Sequence, residues 1–439
     1  GVTMEVSIDP LDPIQRGLVC GAKVTKMMKK LEALELKVLH RAVRLLCCEE
    51  EDAPDWYKAL KEEPETERKV SIRFSSHMKT LRECSILTTR SADFLLFCAG
   101  YFAVAKSSGG SRGIFSGRRL SRRCPVPPPV NLIDTRELIR KMLKHGAGKK
   151  SPRKYHVMVG DFRHWFHQIG APDWMQRLFG IKHKGETYSW RSLPMGWSWS
   201  PYLAQACAWS FLTYREGRER ALLDETMFKD ERGMPRWVRT PQGGFVTVYY
   251  DNFIVVTPDA DELAAWEERV QGNSERLDVV IKEGSLKTYT HLEVFEKGFE
   301  FLGVHFQAVG NFRDDGAASR AAQREGEASE APFQERKRAR REVEEQLRVW
   351  ALKVSPVKRE KWIEELGKVR PGTLRTAASW VGKGIFACLC SGDPLQRRSS
   401  GRGLIDAARM IGKTVKEKRW DQAAPEAVWA AAIDSAAPA

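Results

Sequence analysis

The sequence predicts an α+β fold, in which a mixed unit around a small antiparallel sheet is followed by a helical region. Strand-like and helix-like segments alternate irregularly through residues 155–306, and this favours a mixed unit. Phe245–Thr257 has β-branched and aromatic residues on both flanks of a polar centre, which predicts a buried hairpin. Beyond about residue 336, apolar residues recur at helical spacing and predict the helical region.

Changes in composition divide the 439 residues into five segments. The first has helical apolar spacing over Lys23–Leu46 but carries no recognisable motif. Residues 311–335 are rich in Ala, Gly, Arg and Glu and poor in large apolar residues, so we predict a flexible linker there. The predicted segments are an N-terminal extension (1–80), the α+β unit (81–310), the linker (311–335), the helical region (336–422) and a disordered Ala- and Pro-rich tail (423–439).

Local signals place the individual elements. Pro201 after Ser200 is a good helix start, because proline is preorganised for the first helical position. Asp134 or Thr135 is a suitable cap for another helix. The predicted helices are 134–145, 202–212, 337–354 and 373–389, and a predicted hairpin pairs 178–182 with 187–190.

The net charge indicates the class of partner, and the cysteines indicate the cellular compartment. A formal net charge of +15 favours a polyanionic partner. The nine cysteines are scattered, which is typical of reduced thiols and predicts an intracellular protein, cytoplasmic or nuclear. The longest apolar run, Phe94–Ala105, is too short to span a bilayer, so we expect no membrane association. The start has no signal-peptide pattern and no initiator Met, so we expect a piece of a longer polyprotein.

Two carboxylates are predicted at the ends of buried strands. Asp161 follows the apolar strand Tyr155–Gly160. Asp251 and Asn252 occupy the centre of the predicted hairpin, where both residue types tolerate the left-handed conformations of a two-residue turn. Carboxylates at the ends of neighbouring strands can hold two divalent metals that clamp the attacking and leaving oxygens of phosphoryl transfer. Together with the basic charge, this pair predicts a nucleic-acid polymerase.

A glycine-containing loop lies between these two strands in the sequence. Leu193–Gly196 precedes the helix that starts at Ser200, and glycine lets a backbone approach a base pair or a triphosphate closely. Five residues after Asp161, Phe166 could lie flat beneath an incoming sugar and clash with a 2′-hydroxyl. The alternative for Phe166 is a plain core residue.

These segments resemble, in order, three motifs of reverse transcriptases: Asp161-Phe162-x-x-x-Phe166, Leu193-Pro-Met-Gly196 with the following Ser-Pro, and Tyr249-Tyr-Asp-Asn252. Arg112–Ser121 resembles the fingers strand of that family, and Phe299–Phe306 resembles its primer-grip hairpin. The resemblance covers about residues 95–306. Within the family, the sequence is more similar to retrotransposon polymerases of the tyrosine-recombinase type than to retroviral enzymes. The resemblance implies a right-hand polymerase, with fingers and palm at 81–310 and a thumb- or connection-like region after the linker.

The resemblance also implies the catalytic centre. Asp161 and Asp251 would bind two Mg²⁺ ions, or Mn²⁺ in their place, with the Phe162 carbonyl as a further ligand. Lys287 would protonate the pyrophosphate, and Lys282 competes for that role.

The same resemblance assigns residues to the substrates, which are an RNA or DNA template, its primer and deoxynucleoside triphosphates. Arg112 would contact the triphosphate, a role that suits a bidentate guanidinium. Phe166 would reject ribonucleotides. The remaining implied contacts are Met195 and Gly196 near the nascent base pair, Asn252 at the substrate, and Leu302 and Gly303 at the primer.

Asn252 departs from the family pattern, which has a second aspartate at this position. An amide keeps an oxygen for coordination but removes a negative charge beside the metals. Two alternatives therefore stay open: a catalytically inactive nucleic-acid-binding remnant of the same fold, and an RNA-dependent RNA polymerase.

Overall fold

The computed structural model of the protein describes residues 22–64, 75–105, 111–144, 155–230, 233–308, 350–368, 370–390, 399–417 and 419–436. The chain divides into two compact units. Unit 1 comprises residues 1–133 and 157–288, and unit 2 comprises residues 134–156 and 289–439.

Unit 1 has a mixed architecture. Its helices are α1 (Ala22–Ala33), α2 (Lys37–Arg44), α3 (Asp55–Glu62), α4 (Ser75–Glu83), α5 (Arg118–Arg123), α7 (Trp165–Gln168), α8 (Asp173–Gln176), α9 (Ser200–Thr213) and α10 (Ala260–Leu277), α6 belonging to unit 2. Its strands are β1 (Leu87–Thr89), β2 (Tyr101–Ala105), β3 (Ser111–Phe115), β4 (His156–Asp161), β5 (Gly180–His183), β6 (Glu186–Trp190), β7 (Val238–Arg239), β8 (Phe245–Tyr249), β9 (Asn252–Thr257) and β10 (Lys287–Tyr289), of which β4 and β10 cross the limit between the units by one residue.

These strands form three sheets. The largest has five strands in the order β10-β4-β9-β8-β7, so the strand that ends at Asp161 lies beside the strand that begins at Asn252. A three-stranded sheet has the order β1-β6-β5, and β2 pairs with β3 as a separate ribbon. The predicted small antiparallel sheets and the predicted 178–190 hairpin are therefore present.

The core of unit 1 is organised around α9. Every residue of α9 except Pro201 is buried, because this helix carries apolar residues on all sides. The helix begins at Ser200 with Pro201 in its first turn, as the sequence predicts. Gly160 allows β4 to pack closely on β9, since a Cβ at this position would lie 2.2 Å from the Phe253 ring.

The N-terminal helices are part of this core and do not form a separate extension. Leu39, Ala42 and Val43 of α2 are fully buried, and α2 packs directly against α9. The described part of the expected 1–80 segment therefore belongs to unit 1.

Unit 2 combines one small sheet with helices. Its elements are α6 (Thr135–Lys144), α11 (His291–Glu296), β11 (Phe299–Phe301), β12 (Val304–Ala308), β13 (Trp350–Val354), α12 (Pro356–Gly367), α13 (Leu374–Cys390), α14 (Ser399–Glu417) and α15 (Glu426–Ala436). Asp134 caps α6 by accepting a hydrogen bond from the Glu137 N–H at 2.7 Å, which confirms the predicted start.

Two expectations for unit 2 are wrong. Trp350–Val354 was expected to end a helix but pairs antiparallel with β12, because the free edge of that strand offers unpaired backbone groups. The tail from residue 423 was expected to be disordered, but α15 occupies Glu426–Ala436. Its Val428, Trp429 and Ala432 are buried against α13 and α14. The expected linker at 311–335 lies outside the described residues.

Within the described ranges, no helix has the length and apolar character needed to cross a bilayer.

Candidate active site

The hairpin of β8 and β9 presents a carboxylate at its tip. The register pairs Tyr249 with Asn252, so the two-residue turn is Tyr250-Asp251. The expected Asp-Asn turn is therefore wrong by one residue, and Asn252 begins β9. Tyr250 adopts a left-handed conformation with φ of +55°, which is uncommon for a bulky residue and is typical of a position held by its surroundings.

Gln205 of α9 holds this turn from beneath. Its side-chain nitrogen donates to the Val248 carbonyl at 2.8 Å, and its oxygen accepts from the Tyr250 N–H at 2.8 Å. Gln205 is fully buried, so both hydrogen bonds are made without competition from water. The strained turn is thus fixed to the most buried helix of unit 1.

The two predicted carboxylates meet at the neighbouring ends of β4 and β9. The Phe162 N–H donates to the Asp251 carbonyl at 2.8 Å and joins the two segments just beyond the sheet. The Phe162 ring is buried and stacks on Trp165 with centroids 4.2 Å apart. The backbone at Phe162 is therefore fixed to the turn that carries Asp251 and directly follows Asp161.

The electrostatics of the pair are unfavourable for two negative charges. Burial, reinforced by repulsion from Asp251, raises the pKa of Asp161 to about 6. Burial also raises the pKa of Asp251, although Arg112 and the side chain of Asn252 oppose this. The Asn252 amide donates to Asp251 Oδ1 at 2.9 Å and so orients that carboxylate. A nearby positive charge would lower the pKa of both carboxylates.

A loop at 280–285 closes the other side of Asp161. Ser285 Oγ accepts from the Asp161 N–H at 3.2 Å and donates to the Lys282 carbonyl at 2.7 Å. The buried side chain of Gln168 bridges this loop to α7, because it accepts from the Val280 N–H and donates to the Val280 carbonyl. Asp161 is thus positioned by two backbone segments.

Lys282 and Lys287 are the alternative predicted donors of the proton to pyrophosphate, and they lie in different places. Lys282 Nζ is 3.9 Å from Asp161 Oδ2, with 63% of its side chain exposed. Lys287 is exposed at the start of β10, the strand beside β4. The structure therefore places Lys282 at a carboxylate and Lys287 on the adjacent strand.

The expected substrate contacts in unit 1 lie on three segments. Phe166 is half-buried, and its ring centroid is 6.5 Å from that of Tyr250, at the edge of the core. Arg112 is exposed on β3, close enough to Asp251 to lower the pKa of that carboxyl. Phe166 therefore lies beside the turn that carries Asp251, and Arg112 lies within electrostatic range of that carboxylate.

The Met195–Gly196 loop is held against the end of β3. The Phe115 N–H donates to the Met195 carbonyl at 2.8 Å. Gly196 has φ of +121°, and a Cβ there would lie 1.9 Å from the Phe115 carbonyl oxygen. Glycine is required by this approach of two protein backbones, a contact that the sequence does not indicate.

Leu302 and Gly303 lie in unit 2, where they form the two-residue turn between β11 and β12. Both have positive φ, at +51° and +78°, which is the conformation of a primed hairpin turn. The Ser355 N–H donates to the Gly303 carbonyl at 3.0 Å, so the start of α12 supports the turn.

Sequence reasoning missed three polar residues that build this site. Gln205, Gln168 and Ser285 have no catalytic chemistry of their own but fix the backbone around both carboxylates. One signal was available for Gln205: it is a large polar residue within an otherwise apolar helix, and such a residue needs a buried partner.

The donor set suits a hard divalent cation. Asp161 and Asp251 supply carboxylate oxygens, and burial raises the pKa of both, with repulsion from Asp251 adding to the effect at Asp161. Among the described residues, no group of three or more His, Cys, Asp and Glu side chains could hold a metal. This does not conflict with Mg²⁺, which is commonly bound through one or two carboxylates with waters and substrate phosphates.

The raised pKa of Asp161 predicts a pH dependence of stability without metal. The folded state holds the proton up to about pH 6, whereas the unfolded chain holds it only up to about pH 3.8, so the free energy of unfolding falls as pH rises between these values. We expect Asp161→Asn to match the natural protein near pH 4 and to exceed its free energy of unfolding by about 2 kcal/mol above pH 7.

Denaturant unfolding from pH 4 to 8 with chelator checks this expectation. Glu32→Gln, on an exposed position of α1, is the control for the loss of one surface carboxylate. A stability difference that stays constant across this pH range would contradict the burial of a charged Asp161.

Comparisons with solved structures find distant similarity to foamy virus enzymes. A foamy viral protease-reverse transcriptase in complex with RNA/DNA hybrid has 11% identity and a TM-score of 0.48, over 93% of this chain and 46% of that one. A form bound to double-stranded DNA has 11% identity and a TM-score of 0.47, over 94% and 59%. The native prototype foamy virus enzyme has 18% identity and a TM-score of 0.36, over 55% and 27%.

This chain thus spans between about a quarter and three fifths of the length of those proteins. No protein-family model and no curated protein matches the chain. At such identities and scores the similarity establishes neither a family nor an activity.

Proposed function

We propose that the protein is an RNA-directed DNA polymerase that adds deoxynucleotides to a primer 3′-hydroxyl. The observation that carries the proposal is the pair Asp161 and Asp251, placed at the neighbouring ends of β4 and β9 and joined through Phe162. Carboxylates held on rigid strands suit phosphoryl transfer, in which catalysis consists mostly of positioning and charge stabilisation.

The side chains around the pair have distinct proposed roles. Asp161 and Asp251 hold the divalent ions together with the Phe162 carbonyl, and Arg112 binds the triphosphate. When bound, Mg²⁺ or Mn²⁺ would supply the charge that stabilises the attacking and leaving oxygens. Phe166 beside Tyr250 forms the floor under the sugar and excludes a 2′-hydroxyl.

The remaining roles concern proton transfer and the nucleic acid. Lys287 donates the proton to pyrophosphate, and Lys282, at 3.9 Å from Asp161, is the competing donor. Met195 and Gly196 lie near the nascent base pair, Asn252 near the substrate, and Leu302 and Gly303 at the primer. The proposal includes a fingers, palm and thumb arrangement, an origin in a retrotransposon of the tyrosine-recombinase type, and action in the cytoplasm or nucleus.

A second candidate is a catalytically inactive nucleic-acid-binding remnant, and the geometry of Asn252 motivates it. The amide donates to Asp251 Oδ1 at 2.9 Å, so it orients one carboxylate but adds no second negative charge. The field that attracts divalent ions is weaker as a result. We therefore expect slow extension with Mg²⁺, faster extension with Mn²⁺, and a gain on Asn252→Asp.

Primer extension by the purified chain on RNA and DNA templates tests the proposal. Labelled primer, each metal and the four deoxynucleotides would be combined with the natural chain and with Asn252→Asp. If the Asp variant with Mn²⁺ adds no nucleotide while duplex binding persists, the remnant is the correct interpretation. If the natural chain already extends primers as fast as the Asp variant, the missing charge at Asn252 does not limit extension.

A parallel arm with ribonucleotides separates the proposal from an RNA-dependent RNA polymerase. The natural chain is expected to prefer deoxynucleotides, and Phe166→Val is expected to raise ribonucleotide addition because the floor recedes. A natural chain that prefers ribonucleotides would identify an RNA polymerase. Unchanged discrimination in Phe166→Val would make Phe166 a core residue only.

A further inference from the structure

Helix α2 presents a row of cations on its outer face. Its buried side chains, Val38, Leu39, Ala42 and Val43, face the core and α9. Lys37, Arg41 and Arg44 are exposed, and their spacing of four and then three residues places them on one face of the helix. The row extends about 10 Å along the helix axis, at 1.5 Å per residue.

Several other lysines of the N-terminal helices are held by carboxylates. Lys23, Lys26 and Lys61 are paired with carboxylates at 3.3 Å or less. Lys37 and Arg44 make no side-chain hydrogen bond or ion pair with any residue in the described ranges. The side chains of Lys37 and Arg44 are therefore exposed and available to an anion from outside the chain.

The row forms one wall of a cleft of about 420 Å³. Cys48, Asp52 and Pro54, from the segment that joins α2 to α3, also line the cleft. Three cations less one carboxylate leave a net charge of +2 on the lining. A concave surface of one sign concentrates anions more strongly than the same charges on a flat surface.

We infer that this cleft binds the phosphodiester backbone of a single nucleic-acid strand. The volume corresponds to one or two nucleotides and is too small for a duplex, since pockets of roughly 300–1,000 Å³ hold drug-sized ligands. A 10 Å row of cations spans about three nucleotide steps, at roughly 3.4 Å per nucleotide along a stacked strand. Grooves that follow a strand in this way are typical of single-strand binding.

The cleft is joined to the candidate active site through one helix. Helix α2 packs on α9, and Gln205 of α9 holds the turn that carries Asp251. A strand in the cleft is therefore held on the same support as the carboxylates, as a template ahead of the primer end would need to be. Only this identification of the strand as template rests on the proposed polymerase function.

Binding of a labelled 20-nucleotide single strand to the full chain, without metal or nucleotides, tests the inference. The variant is Lys37→Gln with Arg44→Gln, which keeps helix propensity and chain length while removing two charges. The control, Lys29→Gln with Lys30→Gln, removes the same charge from α1 outside the cleft. Blunt duplex is the second ligand.

We expect the cleft variant to bind the single strand about ten-fold more weakly. The slope of log affinity against log salt should fall by about 1.4, at ~0.7 per lost phosphate contact on a single strand. Duplex affinity and the control variant should change little. Equal losses in both variants, or equal losses for strand and duplex, would overturn the inference in favour of a general charge effect.

An unchanged salt slope for the single strand would also overturn it. An acidic protein segment would then be the occupant to consider, and competition by polyglutamate would reveal it. Since the assay needs no catalysis, strand binding by a chain that fails to extend primers would reject the polymerase and leave the cleft assignment standing.

Discussion

Primer extension by Asp161→Asn or Asp251→Asn is expected to fall by at least about three orders of magnitude, equivalent to ~4 kcal/mol of transition-state stabilisation. Asparagine keeps the shape of each side chain and removes the negative charge that binds a divalent ion. The neighbouring ends of β4 and β9 hold both groups in place, so no other described carboxylate can replace the lost one at this position without a backbone shift.

Template-primer affinity and thermal stability are the controls for this pair of variants. Affinity should be retained, and thermal stability should be retained or raised near neutral pH, because the substitution relieves repulsion between two partly buried carboxylates. Asp173→Asn, an exposed carboxylate on α8, is the matched variant and should extend primers at the natural rate. Extension by Asp161→Asn at more than a few per cent of the natural rate would exclude Asp161 as a metal ligand.

Gln205→Leu is expected to produce the second-largest effect, although Gln205 does not reach a substrate. The change leaves the Tyr250 N–H and the Val248 carbonyl without partners in the core, at about 1–3 kcal/mol each. The left-handed conformation of Tyr250 then loses its support, and Asp251 moves with it. We expect unfolding to become easier by about 2–5 kcal/mol and extension to fall about 100-fold, which is typical of a misplacement near 1 Å.

Gln176→Leu separates positioning from stability. Gln176 is also a buried glutamine of unit 1, and it donates to the Ala171 carbonyl at 2.7 Å, away from the hairpin. Its loss should lower stability to a similar extent while leaving the extension rate per folded molecule near the natural value. Equal losses of extension in the two leucine variants would reduce Gln205 to a structural residue.

The predictions that succeeded depend on signals within a few residues. The helix at Ser200, the cap at Asp134 and the 178–190 hairpin are all encoded locally, by a proline, a side-chain acceptor and alternating strand residues. The two strand-end carboxylates could be found in the same way. What they share is that no distant partner is needed to define them.

The failures depend on partners far away in the sequence. The turn at Tyr250-Asp251 is shifted by one residue because Gln205 stabilises a left-handed tyrosine that local propensity disfavours. Trp350–Val354 has an apolar pattern that also fits a helix, and the free edge of β12 decides for a strand. The segment after residue 423 looks disordered by composition, yet Val428 and Trp429 find a surface on α13 and α14.

The burial of α9 on all sides has a consequence for how unit 1 loses its structure. The helix is a shared wall, with α2 on one side, the Asp251 hairpin on another and the Phe162–Trp165 segment on a third. Partial unfolding of α9 is therefore unfavourable, because losing this helix exposes every neighbouring element at once. We therefore expect unit 1 to lose the carboxylate pair and the cleft beside α2 in one cooperative unfolding transition. A destabilising substitution on either side of α9 should also lower the stability of the other side.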